Sequence, residues 1–151
     1  MTEAQLDTQL DKLQSETINN GGIFRFVKLP FLNKRQLEEF AVEGSEGFVF
    51  TPIAREGAKT TLSKALDHWA KVEGPAPERR ENSSTYESSK RDFLNRLFEF
   101  LGEKKLNGIS HIENTSSLLN VYLNSGSDHL NEDFLFECKG ALYLLHLGFS
   151  S

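Results

Sequence analysis

Five side chains in this sequence could do chemistry beyond carrying a fixed charge near neutral pH: His68, His111, His129, His146 and the single cysteine, Cys138. A thiol beside an imidazole is the arrangement of a cysteine nucleophile, which works as a thiolate at an exposed, electropositive position. Cys138 instead stands in an apolar run, where it is expected to pack as a small buried hydrophobe. Asp128-His129-Leu130-Asn131-Glu132-Asp133 gathers oxygen and nitrogen donors. It lacks the alternating Asp/Asn spacing and the sharp-turn glycine of a calcium loop and is read as a solvated turn. One cysteine can form neither an intramolecular disulfide nor a Cys-rich zinc module. GxSxG, HExxH, GxGxxG and paired-cysteine signatures are absent from the sequence. No catalytic residue, metal ligand or cofactor is therefore assigned.

The remaining candidates are cations and rings between residues 24 and 59: Phe24, Arg25, Phe26, Lys28, Lys34, Arg35, Arg55 and Lys59. Phe24-Arg25-Phe26-Val27-Lys28-Leu29-Pro30-Phe31, followed by Gly47-Phe48-Val49-Phe50, is locally similar to the two aromatic strand motifs of RNA-recognition motifs. That resemblance implies rings stacking on bases while basic residues meet the backbone. The competing reading makes the same rings half of a hydrophobic core, and it carries the greater weight because aromatic residues dominate core burial. Gly57-Ala58-Lys59-Thr60-Thr61, expected as a loop before a helix, is similar to the end of a phosphate-binding P-loop. It departs from that pattern in lacking the first glycine and in placing Ala58 between Gly57 and Lys59. An ordinary helix cap by Thr60 or Thr61 accounts for the same residue types, and an anion resting at this helix start beside Arg55 and Lys59 is the intermediate reading. Residues 93–101 are similar to the first helix of AT-rich-interaction DNA-binding domains, and no DNA-contacting residue is carried over from that match.

Elements must position these groups. Leu6, Leu10, Leu13 and Thr17 recur at helical spacing, predicting an amphipathic helix over 3–18 that ends at Asn19-Asn20-Gly21-Gly22. Its stripe is narrow, the width of a two-helix seam, which raises a homodimer through this helix. Strands are predicted over 23–29, closed by Pro30, and over 48–53. Asn33, with Gln36 three residues on, caps a short helix between them. Helices are predicted over 61–72 and 89–101. Residues 109–112 are ambiguous, and 116–123 fits a helix or a strand. Residues 131–147 fit a buried helix by length and a hairpin turning at Lys139-Gly140 by the position of Gly140; the helix is preferred. Residues 74–88 hold no aliphatic side chain larger than alanine and are expected to form an exposed, mobile loop.

The 151 residues, 38% apolar and 26% charged, suit one globular domain over 1–151. The expected fold class is α+β: a helix-dominated single domain with a small antiparallel sheet and a long internal loop. The polar, acidic start has no secretory pattern and no apolar run spans a bilayer, so no membrane partner and a cytoplasmic setting are expected. A net charge of −5 opposes non-specific binding to nucleic acid. Between Arg25 and Lys59, however, six basic residues meet five acidic ones. The expected function is a non-enzymatic protein-interaction module, an inhibitor, adaptor or small regulatory factor. The alternative is a nucleic-acid or phosphate binder using 24–59, and a small enzyme whose site is not legible is the third class.

Overall fold

The computed structural model describes residues 1–19, 21–40, 47–72, 81–123 and 130–149. The chain begins with α1 (Glu3–Ser15), in which Thr2 and Gln5 cap each other reciprocally, satisfying two of the helix's open amide donors. The expected helix stops one turn early, where Gln14 turns its side-chain amide onto the Asn19 carbonyl and Asn19 donates to the Trp69 carbonyl at 2.8 Å. Gly22 follows, and a β-carbon there would lie 2.8 Å from the Gln14 side chain and 2.9 Å from that of Asn19.

β1 (Gly22–Leu29) runs into α2 (Lys34–Glu39), which Asn33 caps through the Gln36 amide. The Gln36 side chain accepts from Leu32 rather than Asn33, so the predicted reciprocal cap is shifted by one residue. After β2 (Val49–Pro52) come α3 (Arg55–Ala70), α4 (Tyr86–Glu103), β3 (Leu106–Glu113), α5 (Ser116–Tyr122), β4 (Leu130–Cys138) and β5 (Ala141–Phe149). The strands form one antiparallel sheet in the order β1-β5-β4-β3-β2. The chain crosses the whole sheet between β1 and β2, and the later strands walk back toward β1.

The fold is thus α+β, but it is not helix-dominated and its sheet is not small: among the described residues five helices accompany five strands. The preference for a helix over 131–147 is also overturned. These residues form the β4–β5 hairpin, with Cys138 opposite Ala141 and Gly140 in the turn at φ +70°, a conformation glycine adopts without steric cost. The helix-like run arises because both faces of the central strands are covered, which erases the period-two alternation of a half-buried strand. One face holds Phe24, Phe26, Phe136 and Tyr143 under α1, α3 and α4. The other holds Leu29, Leu135, Leu142 and Leu144 against Leu37 of α2 and Leu118 and Leu119 of α5.

Two further expectations change. Leu6, Leu10 and Leu13 are at most 1% exposed within their own chain, so the stripe of α1 is filled internally and leaves no open seam for a second copy. Of the expected loop 74–88, residues 74–80 lie outside the described residues. The rest is tied to the end of α1: Ile18 donates to Asn82, Ser83 to the Glu16 carbonyl, and Thr85 to the Glu16 carboxylate. α4 accordingly starts at Tyr86, three residues before its predicted beginning.

Candidate functional site

Topology separates the residues of 24–59. β1 and β2 are opposite edges of the sheet, four strand spacings or on the order of 19 Å apart. Arg25 and Lys28 therefore stand far from Arg55 and Lys59. The four rings are divided as well. Phe24 and Phe26 are 2% and 1% exposed in the core under α1 and α4, and Phe26 packs on Tyr143, Phe100 and Phe136 with centroids 5.7 to 6.2 Å away. Phe48 and Phe50 are half-buried against the opposite face. No open row of rings exists for bases to stack on.

Most of the cations have local partners. Arg25 pairs with Asp7 at 3.0 Å, and the same carboxylate accepts the Phe26 amide at 2.8 Å. Together they block the outer edge of β1 against pairing with another strand. Lys34 lies 4.0 Å over the Phe50 ring, Arg35 pairs with Glu39, and Arg55 donates to the Leu106 carbonyl. Lys59 donates to Asn95, whereas Lys28 is exposed. Residues 57–61 lie inside α3 rather than in a loop. Their amides are directed along the helix, so the phosphate-cradling turn suggested by Gly57 to Thr61 does not form.

Two polar clusters surround β4. Asp133 and His146 face each other across β4 and β5, both at most 1% exposed, with Nδ1 and Oδ1 2.6 Å apart. The other Asp133 oxygen accepts from Thr115 at 2.9 Å and Asn131 at 2.6 Å. Thr115 precedes α5 but gives its hydroxyl to Asp133 and makes no side-chain cap. Burial closes the Asp133–His146 pair to substrate. Glu132 lies in a cleft that His68 and His111 also line. It accepts from Trp69 Nε1 at 2.9 Å, and its second oxygen lies 3.2 Å from His111 Nε2. The other imidazole nitrogen is 4.0 Å from Glu113, so the histidine faces a second carboxylate where a nucleophile's hydroxyl would have to be. Among the described residues no three His, Cys, Asp or Glu side chains converge to hold a metal ion. Of the acidic turn, Asp128 and His129 lie outside the described residues, and Leu130–Asp133 belong to β4.

Cys138 is buried, and desolvation pushes its thiol up to about 11 against the opposing charges of Lys104 and Arg55. At about pH 8 such a thiol is ionised to roughly a thousandth. Alkylation of the folded protein by iodoacetamide is therefore expected to run at least about a hundredfold slower than that of the urea-unfolded chain. Equal rates in a mass-spectrometric time course would refute the burial. The raised value also implies that folded-state stability falls as pH climbs from the thiol's ordinary 9.0 toward 11, because only the unfolded chain then releases the proton freely.

The chain matches no family model, no curated protein and no solved structure. One apolar region extends outward from the second core, against which Phe31 and Phe40 pack half-buried. Phe31, Phe40 and Tyr122 form a ring triangle with centroids 5.4 to 5.7 Å apart. Leu32 and Val121, each 60% exposed, stand in the same two elements' flanks, with Tyr122 at 38%. Apart from Phe31, part of the aromatic strand motif, these residues were not picked out from the sequence as a binding surface. Two signals could have found them. Phe31-Leu32 sits between Pro30 and the Asn33 cap, where the chain is too constrained to turn both side chains inward. In α5, Val121 and Tyr122 exceed what the buried face supplied by Leu118 and Leu119 needs.

Proposed function

We propose that this protein is a non-enzymatic interaction module of the cytoplasm that acts by binding another protein through Phe31, Leu32, Phe40, Val121 and Tyr122. The observation that carries the reading is the ring triangle, half-buried at Phe31 and Phe40 and open at Tyr122, with the largely exposed Leu32 and Val121 next to it in the chain. Contiguous exposed apolar groups mark interaction sites, and aromatic anchors supply most of the energy of such contacts. A regulatory role by occupancy, as an inhibitor or adaptor, fits a module in which Cys138 is buried and His111 and His146 are held by carboxylates.

A photo-crosslinking amino acid placed at position 32 or 121 in the native cell is expected to capture one protein of defined mass, and the same group at Glu99 on α4 is not. Leu32→Ser and Val121→Ser should change stability by less than about 0.5 kcal/mol yet weaken that complex at least tenfold. Identical adducts from all three positions, or none from 32 and 121, would sink the proposal.

A further inference from the structure

The groove between α3 and α4 shows a charge arrangement that neither the sheet core nor the apolar surface explains. The two helices run antiparallel, as the contacts of Lys59 with Asn95 and of Asp67 with Lys90 require. Between them lies a cavity of about 470 Å³ with Lys59 and Lys64 on one wall, Lys90 and Arg91 on the other, and the 4%-exposed Leu94 as floor.

Lys90 organises it. Its side chain is 8% exposed, and its ammonium is held by Asp67 at 2.8 Å and Glu87 at 3.1 Å. Burial disfavours that charge, but the two carboxylates outweigh it and raise the lysine's pKa, so the ammonium stays charged. Tyr86 donates to the same Asp67 oxygen. Asp67 is the carboxylate three residues from Lys64, and Glu87 is the one four residues from Arg91, the spacings at which helical ion pairs form. Both are drawn onto Lys90. Arg96 keeps its i−4 partner Asp92, and Arg35 keeps its i+4 partner Glu39. Lys64 and Arg91 have no ion pair among the described residues, and Lys59 meets only uncharged groups, the amide of Asn95 and the Phe98 ring. In a chain of net charge −5, three cations without carboxylate partners therefore surround one groove.

We propose that this groove binds a small phosphorylated ligand of nucleotide size, its phosphate oxygens meeting Lys59, Lys64 and Arg91 and its apolar part resting on Leu94. Several donors on two walls, with the hydroxyls of Thr60 and Ser63 between them, suit the many oxygens of a phosphate chain better than one carboxylate. The volume lies within the range of small-molecule sites, about 300 to 1,000 Å³. A nucleic-acid surface would instead need a basic footprint on the order of 1,000 Å².

Calorimetric titration with ATP and, separately, inorganic triphosphate at about 50 mM salt tests this. Saturable binding of ATP with a Kd below about 1 mM is expected, weakened at least tenfold by Lys64→Ala/Arg91→Ala. The pair Lys12→Ala/Lys139→Ala removes the same charge from exposed positions elsewhere and should leave binding unchanged. Triphosphate binding as tightly as ATP would place the recognition in the phosphates alone, and ATP binding more tightly would add the contact on Leu94. The proposal fails if neither ligand binds, if both variant pairs weaken binding equally, or if polyglutamate displaces ATP with higher affinity. That last result would make an acidic polypeptide the occupant.

Discussion

Replacing Asp133 by alanine is expected to lower the free energy of unfolding by about 3 to 5 kcal/mol, because several buried polar contacts are lost at about 1 to 3 kcal/mol each. The carboxylate joins three elements: His146 on β5, Asn131 on β4 and Thr115 ahead of α5. Its removal takes from the buried imidazole and the buried hydroxyl a partner that offsets their desolvation. The double change Asp133→Leu/His146→Leu should recover part of that loss, since it removes the buried imidazole along with its carboxylate partner, while the Thr115 hydroxyl keeps its contact with Asn131. Urea unfolding of the parent and both variants reads the result. A single variant within about 1 kcal/mol of the parent would mean that the cluster is solvated and does not hold the hairpin to α5.

Phe26→Ala is expected to cost about 3 to 5 kcal/mol, the usual loss on emptying a buried phenylalanine site. The ring lies among Tyr143, Phe100 and Phe136, which belong to β5, α4 and β4 and cannot all close on the void. Phe26→Leu should cost clearly less because it keeps most of the volume. The comparison also separates the two readings of this residue. A ring that stacks bases is exposed, and its truncation would change binding with little change in stability. A stability loss under about 0.5 kcal/mol would contradict the packing described here.

Much of the architecture is legible in local pattern. The leucine stripe of α1, the Asn33 cap of α2, the strand closed by Pro30 and the broad apolar face of α4 each record one buried side at one period, and each element forms where that period predicts it. The bounds differ by a turn or less except at α3. There Arg55 to Thr60, expected as a loop, are helical, since no residue among them blocks a helix and Ala58 finds a place in the core.

The sites were less legible, because each depends on contacts between distant segments. Phe24 and Phe26 have the same alternation whether their side of the sheet is bare or covered; α1 and α4 decide that it is covered. Lys64 and Arg91 have carboxylates at ion-pairing spacing in the sequence, yet Lys90, buried where α3 meets α4, takes both.

By itself, then, the sequence determined a chain with enough apolar residues to build a core, its amphipathic helices and its first strand, because a single buried face imprints a local period. Only the tertiary structure decided that residues 131–147 pair as a hairpin, that the basic segment 24–59 is divided between opposite sheet edges, and which cations remain without partners. Those outcomes follow from strand order and from competition among side chains far apart in the chain, and no local period records either.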